Sequence, residues 1–326
     1  MLPPGLYPGG FFFQGVSLPE IVICEFMDEA AVARLRARFE TVYDAGLVDR
    51  PDELAGLAKQ ARALIVRNRT QVRGDLLKGA ERLTCVGRLG VGLDNIDVEA
   101  CKAQGIAVYP ATGANDLSVA EYVITSALML LRRAWLSTGS MLAGQWPRQK
   151  LMGRELAGKT IGLVGFGAIA REVAWRAQAL GMQIVAFDPL LMADDPAWRL
   201  ARNVSLDGLL EIADVVSLHV PLTASTRHMI AAPQLASMKP GAILVNAARG
   251  GVVDEAALAA SLKSNGIGGA ALDVFETEPL TKEGAEKFAG LGNIILTPHI
   301  AGVTEESNVR VSELIADLVS AHLEKA

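Results

Sequence analysis

A glycine-rich loop constrains the fold of this chain more than any other short stretch. Residues 160–167 read TIGLVGFG, and a helical segment follows them directly. Gly165, Gly167 and Ala170 form the pattern G-x-G-x-x-A across this junction. Glycine at the first position permits a tight turn, and the small third residue lets the helix pack closely on the strand. A strand, a glycine turn and a helix in this order predict a β-α-β unit of an α/β fold.

Apolar runs alternate with helical segments over most of the chain, from Glu20 onward. In the first part, the predicted strands read IVICEF, ALIVR, LTCVGR and IAVYPA. A long helical stretch follows, from about residue 116 to 144. The alternation then restarts with six predicted strands, within residues 160–167, 183–188, 215–220, 242–248, 269–275 and 293–299. Continuous apolar strands between helices indicate parallel sheets covered on both faces, and 326 residues are enough for two such doubly wound units.

Composition and charge argue against several classes of function. The net charge is −5 and no long basic run occurs, so a nucleic-acid partner is not expected. No apolar stretch of the sequence is both long enough and free enough of charge to span a membrane. The three cysteines are scattered without a C-x-x-C pair, which indicates neither a disulfide framework nor a zinc site. We therefore expect a cytoplasmic protein with no bound metal.

The beginning of the sequence differs from the rest. Residues 1–17 read MLPPGLYPGGFFFQGVS, which is rich in Pro, Gly and Phe and contains no Lys or Arg. A secretory signal peptide needs a basic front end, so this segment does not resemble one. We expect residues 1–15 to be a non-native or disordered extension.

The glycine loop also predicts a ligand. Gly167 lets a pyrophosphate group approach the backbone at the start of a helix, where free N–H groups and the helix dipole favour phosphate. Asp188 closes the next predicted strand about twenty residues on, the position at which such sites carry an acid for the adenosine ribose. Pro189 and Leu190 follow it, and no arginine stands there to accept a 2′-phosphate. These residues predict a dinucleotide site for NAD in preference to NADP.

Polar side chains occur at the ends of three later strands. Arg249 follows one strand, Asp273 and Glu278 stand at or beyond the end of the next, and His299 follows the last. Ligands bind outside the carboxyl ends of parallel strands, so these side chains can converge. Each residue alone has a plainer interpretation, as a surface ion pair, a turn residue or a satisfied cap. Their occurrence at successive strand ends beside a dinucleotide loop favours a catalytic site.

Six motifs carry a family resemblance. They read VRNRT, VGRLGVGLDNIDV, WPRQKLMGRELAGKTIGLVGFG, VNAARGGVVDEAAL, ALDVFETEP and TPHIAG. By these motifs the chain resembles the D-isomer-specific 2-hydroxyacid dehydrogenases, most of all their 3-phosphoglycerate dehydrogenase branch. The stretches EFMDEAAV, RALIVRNRT and GRLGVGLDNIDV are also similar to the bacterial sulfolactate dehydrogenases of this family. The resemblance implies an NAD-dependent oxidoreductase that interconverts a small 2-hydroxy acid and its 2-oxo acid.

The resemblance assigns roles to the residues at the strand ends. His299 resembles the general acid/base, and Glu278 resembles the carboxylate that keeps it protonated. Arg249 resembles the residue that binds the substrate carboxylate, and Asp273 resembles the acceptor for the nicotinamide amide. Together with Gly165, Gly167 and Asp188, the coenzyme contacts that it implies are Ala168, Ile169, Pro221, Ala247, Ala248 and Gly302.

The family relation also implies a discontinuous arrangement of two Rossmann-like domains. Residues 16–112 and 300–326 would form the substrate domain, and residues 113–299 would form an NAD-binding domain inserted into it. The same relation implies a homodimer with contacts through residues 116–150.

The first domain is expected to bind the far end of the substrate. The residues that the resemblance implies here, one of them reaching over from a neighbouring subunit, are Arg67, Asn68, Arg88, Leu89, Gly90 and Arg148. The plainer interpretation is that these arginines are solvated. Their positions near strand ends favour a second anionic group on the substrate, which can be a phosphate, a sulfonate or a carboxylate. A glyoxylate or hydroxypyruvate reductase is the alternative.

Two other functions occur on similar scaffolds. Formate dehydrogenases carry Gln where Glu278 stands, and a Gln cannot hold an imidazolium for proton donation, so Glu278 favours a ketone substrate. NAD(H)-sensing corepressor-like proteins keep the Arg–Glu–His set, so that set does not exclude a binding protein. We expect an enzyme.

Overall fold

The computed structural model describes residues 18–133, 135 and 137–325. The extension expected at residues 1–15 lies outside the described residues. The chain divides into two compact units: the first runs to Thr112 and resumes at Asn308, and the second is Gly113–Ser307. Each unit is built on a parallel sheet, so the predicted fold class is confirmed. The domain bounds and the labels that the sequence attaches to them stay a prediction.

The first unit contains a five-stranded parallel sheet in the order β2-β1-β3-β4-β5. Its strands are Ile21–Ile23 (β1), Thr41–Tyr43 (β2), Ala63–Val66 (β3), Cys85–Arg88 (β4) and Ala107–Pro110 (β5). The helices between them are Glu29–Arg36 (α1), Pro51–Ala58 (α2), Gly74–Gly79 (α3) and Val98–Ala103 (α4), with a short 3₁₀ turn at Leu47–Asp49.

The second unit contains a seven-stranded parallel sheet in the order β12-β11-β10-β9-β6-β7-β8. Its strands are Thr160–Val164 (β6), Gln183–Phe187 (β7), Arg202–Asn203 (β8), Val215–Leu218 (β9), Ile243–Asn246 (β10), Gly269–Leu272 (β11) and Ile294–Leu296 (β12). Its helices are Asp116–Arg132 (α5), Ser137–Leu142 (α6), Ala168–Ala179 (α7), Leu206–Ile212 (α8), Ala232–Ser237 (α9), Glu255–Lys263 (α10) and Lys282–Ala285 (α11), with 3₁₀ turns at Pro196–Arg199 and Glu286–Phe288. A last helix, Glu305–Leu323 (α12), begins in this unit and returns the chain to the first.

Local sequence explains why these elements form. The strands β1 and β3 read IVI and ALIV and are fully buried, as expected for branched apolar residues in a sheet covered on both faces. The side chain of Asp28 accepts hydrogen bonds from the backbone N–H groups of Ala30 and Ala31 and so caps the N-terminus of α1. Asp254 caps α10 in the same way.

The long helix predicted for residues 116–144 is wrong as a single helix. It ends at Arg132, because Arg133 adopts a left-handed conformation (φ 54°) while its N–H closes on the carbonyl of Met129. The prediction also lacked β2 and β8. Both are edge strands of three residues or fewer, too short to show a strand pattern.

The strand order places a crevice at the carboxyl edge of the second sheet. The chain proceeds outward from β6 through β7 to β8, and then crosses back so that β9 pairs on the other side of β6. In this pairing Val164 at the end of β6 is in register with Leu218 at the end of β9. Connections leave in opposite directions at such a switch point, which opens a ligand-binding crevice above it.

Helix α12 packs closely on the sheet of the first unit. A Cβ atom at Gly87 in β4 would lie 2.6 Å from Cγ2 of Ile315 and 3.0 Å from Cγ2 of Val319. Both helix side chains are buried. Gly87 therefore sets the distance between β4 and the helix that completes this unit. None of the described helices is long and apolar enough to cross a membrane.

Replacing Gly87 tests this close packing. We expect Gly87→Ala to lower the free energy of unfolding by about 1–3 kcal/mol, because the added methyl group overpacks a filled core. Gly56→Ala is the matched control, since Gly56 lies in α2 and a Cβ there meets nothing within 4 Å. That control should be neutral or stabilising by about 0.5–1 kcal/mol. Denaturant unfolding of both variants decides the matter, and equal stabilities would contradict the close packing.

Candidate active site

The glycine loop has the shape that a dinucleotide requires. Gly165 has φ +86°, and a Cβ there would lie 2.6 Å from the carbonyl oxygen of His219. Only glycine fits such a position without displacing backbone. Gly167, by contrast, has φ −73° and would place a Cβ in open space, with nothing within 4 Å. The protein itself leaves the room beside Gly167 free, at the N-terminus of α7 where Ala168 and Ile169 begin the helix.

The predicted ribose acid is attached to this loop. Asp188 follows β7, and its Oδ2 accepts a hydrogen bond from the backbone N–H of Phe166 at 2.8 Å. Its Oδ1 accepts another from the N–H of Leu190 at 2.9 Å. A carboxylate has further lone pairs, so it can still accept from ribose hydroxyls. The loop, the helix N-terminus and this acid together fit an NAD-type coenzyme.

A histidine that lies beneath the glycine loop was not predicted from the sequence. His219 directly follows β9, donates its backbone N–H to the carbonyl of Val164 at 2.7 Å, and supplies the carbonyl that excludes a side chain at Gly165. Its Nε2 lies 2.9 Å from Oγ of the buried Ser217. Burial lowers the pKa of His219 to about 4, so the ring is neutral at physiological pH. Its place at the end of a strand is the only sequence signal it carries. Pro221, predicted to contact coenzyme, stands two residues further along.

A turn after β10 positions the predicted arginine. Asn246 closes the strand, donates through Nδ2 to the carbonyl of Arg249 at 3.0 Å, and accepts from the N–H of Ala248 at 3.1 Å. The buried Asn246 was not predicted, although its amide is what shapes the Ala247–Ala248–Arg249 turn. The Arg249 guanidinium is half-buried and donates to the carbonyl of Ala248.

Asp273 holds the turn that carries His299. Asp273 is only 1% exposed, and its Oδ1 accepts from Oγ1 of Thr297 at 2.6 Å and from the N–H of Ile300 at 2.8 Å. Its Oδ2 accepts from the N–H of Ala301 at 2.7 Å. Burial raises the pKa of Asp273, and these hydrogen bonds partly offset that effect. This structural role was not predicted from the sequence. The predicted contact with the nicotinamide amide stays a prediction.

His299 and Glu278 form a close pair. The distance from Nδ1 of His299 to Oε2 of Glu278 is 2.8 Å, and Oε1 of Glu278 accepts from the backbone N–H of Phe275 at 3.0 Å. The His299 side chain is 37% exposed. Its backbone has φ 57°, a conformation that costs a non-glycine residue about 1–3 kcal/mol.

The surroundings of Glu278 keep it ionised. Burial opposes ionisation, but the hydrogen bond and charge of His299, the amide of Phe275 and the charge of Arg249 outweigh it and lower the pKa of Glu278. A carboxylate at this position stabilises the charged form of the imidazole and fixes the ring through Nδ1. The other ring nitrogen, Nε2, forms no hydrogen bond with any residue that the structure describes, so the pair can exchange a proton with a ligand.

In the first unit, several contacts fix the position of Arg67. It follows β3, and its backbone N–H donates to Oε1 of the buried Glu25 at 2.9 Å. Its guanidinium donates to Oδ1 of Asn308 at 2.6 Å and lies over the ring of Phe26, 5.6 Å from the centroid. Burial lowers the pKa of Arg67, and the charge of Glu25 counteracts this shift. Asn68 lies beside it in the exposed part of the loop.

The other predicted substrate residues have varied settings. Arg88 ends β4 and folds back so that its guanidinium donates to the carbonyl of Leu89 at 3.0 Å. The guanidinium lies where a side chain at residue 90 would stand, so that only glycine fits at this position. Arg148 belongs to the second unit and lies in the segment after α6. Gly302 packs against the side chain of Asn115, close behind the His299 turn.

The fold and site define a class of protein: a dinucleotide-dependent oxidoreductase with a histidine–carboxylate pair at the edge of its larger sheet. Residues 124–301 match the family model described as D-isomer specific 2-hydroxyacid dehydrogenase, NAD binding domain. The chain therefore belongs to the D-isomer-specific 2-hydroxyacid dehydrogenase family. It is an NAD(P)-dependent enzyme that acts on the CH–OH group of 2-hydroxy acids.

Individual relatives agree with this assignment. The chain is 57% identical to the (S)-sulfolactate dehydrogenase of Chromohalobacter salexigens over 93% of its own length and 97% of the relative's. It is 44% identical to the hydroxypyruvate reductase of Thermotoga maritima, covering 80% and 84% of the two chains. The crystal structure of the TT0316 protein of Thermus thermophilus superposes with a TM-score of 0.86 at 32% identity, over 94% of this chain and 97% of that one.

The two glycines of the loop allow a test of the coenzyme site. We expect Gly167→Ala to leave the melting temperature unchanged and to weaken NADH binding, because the new methyl group meets only the bound pyrophosphate. Gly165→Ala should lower the melting temperature as well, since its Cβ meets the His219 carbonyl. Thermal unfolding and NADH fluorescence titration measure the two effects separately. Unchanged NADH affinity in Gly167→Ala would place the pyrophosphate elsewhere.

Proposed function

We propose that this protein is an NAD-dependent dehydrogenase of a small 2-hydroxy acid with a second anionic group, and that the pair sulfolactate and sulfopyruvate is its substrate. The observation that carries the proposal is the 2.8 Å contact between His299 and Glu278 beside Arg249, on the sheet that carries the glycine loop. The identity of 57% to a protein named (S)-sulfolactate dehydrogenase supports the choice of a sulfonate.

His299 acts as the general acid in the reduction. A nicotinamide coenzyme held at the glycine loop would supply a hydride for the carbonyl carbon, and the alkoxide that develops on the substrate would require a proton. His299 donates that proton from Nε2, and Glu278 stabilises the charged ring through Nδ1. In the oxidation the same nitrogen accepts the hydroxyl proton. Such a group contributes roughly 10²–10⁴ in rate.

Arg249 orients the substrate. A guanidinium can bind a carboxylate through two parallel hydrogen bonds, which fixes the plane of the adjoining carbonyl group. The turn held by Asn246 keeps the backbone of Arg249 in place, so the guanidinium is presented with little loss of conformational entropy. Its positive charge also lies close enough to lower the pKa of Glu278.

The surroundings of Arg67 favour a second anionic group on the substrate. Its guanidinium is half-buried, and its direct hydrogen-bond partner is the neutral amide of Asn308. Glu25 is occupied by the backbone amides of Arg67, Arg69 and Thr70. A positive charge in this setting gains from an anionic ligand, and we assign it to the sulfonate together with Arg88 and the Leu89–Gly90 backbone.

Hydroxypyruvate reduction is the second candidate. The 44% identity to a protein named hydroxypyruvate reductase favours it. Hydroxypyruvate carries only one anionic group, so this function would leave Arg67 without a charged ligand. The activity of Arg67 variants therefore separates the two candidates.

The coenzyme preference and the assembly are part of the same proposal. Asp188 and the absence of a cation at Pro189 and Leu190 support NAD over NADP. Exposed apolar side chains at the end of α6 and just after it, Leu142 (85%) and Trp146 (77%), support a homodimer formed through residues 116–150. We place the protein in the cytoplasm.

Replacing His299 tests the proton donor. We expect His299→Ala to lower kcat for reduction by roughly 10²–10⁴-fold while NADH still binds. Glu278→Gln should also lower kcat, but less, because a neutral amide holds the ring through a weaker hydrogen bond than a carboxylate does. Steady-state rates across pH and NADH fluorescence titration measure these effects.

The chain offers a matched control for this experiment. His228 also has a left-handed backbone (φ 51°) and also contacts a glutamate, with Nε2 3.1 Å from Oε1 of Glu276. We expect His228→Ala to retain most of the turnover. A His299→Ala enzyme with near-normal kcat would contradict the assignment.

A panel of 2-oxo acids tests the substrate. Purified protein with NADH, and separately with NADPH, would be assayed by absorbance against sulfopyruvate, 3-phosphohydroxypyruvate, hydroxypyruvate, glyoxylate and 2-oxoglutarate. We expect NADH with sulfopyruvate to give the highest kcat/KM. Activity on the mono-acids alone would contradict a second anion site, and silence with NADH still bound would favour an NAD(H)-sensing binding protein.

An arginine pair sharpens this panel. Arg67→Lys should lower kcat/KM for sulfopyruvate by about tenfold or more and change glyoxylate reduction little, because lysine cannot reproduce the oriented fork. Arg69→Lys is the control, since Arg69 lies in the same loop but is exposed and paired with Asp49. Equal effects of the two substitutions would show that Arg67 has no special role.

A further inference from the structure

The turn that carries His299 is held from one side by helix α5. The hydroxyl of Tyr122 lies 2.6 Å from Oγ1 of Thr297, two residues before the histidine. Oγ of Ser118 lies 3.1 Å from Oγ1 of Thr304, five residues after it. Ser118 and Tyr122 are four residues apart and therefore lie on one face of the helix. Two side chains of α5 thus hold both ends of the segment that contains His299.

The first of these contacts continues to a buried charge. Thr297 has one hydroxyl proton, and its Oγ1 lies 2.6 Å from Oδ1 of Asp273, which can only accept. The proton of Thr297 therefore points to Asp273, so Tyr122 must be the donor to Thr297. Burial raises the pKa of Tyr122, which keeps this hydroxyl protonated at neutral pH. The result is a directed chain of hydrogen bonds from Tyr122 through Thr297 to Asp273.

We infer that Tyr122 is a positioning residue for the reaction, because its hydroxyl orders Thr297 and Asp273 and so fixes the turn that presents His299. The inference rests on the proposed role of His299 as the proton donor. Tyr122 touches neither the reacting atoms nor the ring of His299 through any contact that the described residues show. It acts through two hydrogen bonds and the amides of Ile300 and Ala301, which donate to Asp273.

The turn needs such support for a physical reason. His299 has a left-handed backbone, which is unfavourable for a side chain of this size unless its surroundings impose it. The amides of the two residues that follow it are bound by the same carboxylate, and that carboxylate is almost fully buried. Each donor to Asp273 therefore favours the ionised, amide-binding state that holds the turn. Weakening the Thr297 donor loosens the position of the ring.

Four variants test the inference. Tyr122→Phe removes the first donor, Thr297→Val removes the second, Thr297→Ser keeps the hydroxyl, and the double variant combines the first two. We expect Tyr122→Phe to lower kcat about tenfold with little change in KM or in NADH affinity, since the proton donor is misplaced by a fraction of an ångström. Thr297→Val should lower kcat further, Thr297→Ser should be close to wild type, and the double variant should match Thr297→Val.

The pH profile adds a readout that a purely structural role would not move. The groups that face Asp273 are Thr297, Tyr122 of α5, the charge of His299 and the two turn amides. Loss of the Thr297 hydroxyl removes an interaction that lowers the pKa of Asp273. The carboxyl group then takes up a proton at higher pH and loses its hold on the amides. We expect the acid limb of kcat to move to higher pH in Thr297→Val.

Amide hydrogen exchange tests the same point without relying on activity. Peptides that contain Ile300 and Ala301 should exchange faster in Tyr122→Phe and Thr297→Val than in the wild type. Tyr109→Phe is the control, because its hydroxyl lies 3.0 Å from Nδ1 of His322 within the first unit and its loss should leave this turn unchanged. Wild-type turnover on the substrate panel tests the proposed function separately.

The outcomes are distinct. Wild-type kcat and wild-type exchange in Tyr122→Phe would overturn the inference while leaving His299 as the proton donor. Additive losses in the double variant would also overturn it, because Tyr122 would then act by another route. If the wild-type enzyme reduced no member of the panel, the proposed function would fail. Even in that case, unchanged amide hydrogen exchange in Tyr122→Phe would show that Tyr122 does not hold the His299 turn.

Discussion

Three hydrogen bonds to one buried carboxylate determine the position of His299, the residue that we propose as the proton donor. Asp273 follows β11 and is 1% exposed, so its charge is tolerable only because Thr297, Ile300 and Ala301 all donate to it. Those donors are contributed by the turn around His299. The carboxylate therefore needs the turn for its solvation, and the turn needs the carboxylate for its shape. This mutual dependence explains how a histidine with an unfavourable backbone conformation is kept in one place.

The glycine loop, where we expect the coenzyme, is held by the same kind of contact. Asp188 follows β7 and accepts from the N–H groups of Phe166 and Leu190, which the sheet itself leaves unpaired. In both cases an aspartate at the end of a parallel strand receives the amides of the loop beside it. The glycine loop and the His299 turn are thereby attached to the same seven-stranded sheet. Both parts of the proposed site are consequently positioned by strand ends, which are more rigid than free loops.

The fold and the candidate residues could be predicted wherever a residue type in a given pattern has one usual structural role. Glycine at a left-handed turn, apolar runs between helices and polar residues at strand ends each show directly in the chain, so the α/β fold and the candidate residues could be predicted. Partners far apart in sequence could not. Tyr122 and Thr297 are separated by 175 positions, and nothing local marks either as the other's partner. The end of α5 was also hidden, because an arginine in a left-handed conformation carries no sequence signal.

The arginines of the first unit show why the setting of a charge says more than its presence. Arg62 pairs with Glu20 and Arg69 pairs with Asp49, so their charges are already compensated. Arg67 donates to an amide and lies over an aromatic ring, and the nearby Glu25 is occupied by backbone N–H groups. Among the described residues, no carboxylate forms a salt bridge with its guanidinium. A half-buried cation left in this state is costly in the free protein and is stabilised when an anion arrives. That difference, rather than the number of arginines, supports a substrate with two anionic groups.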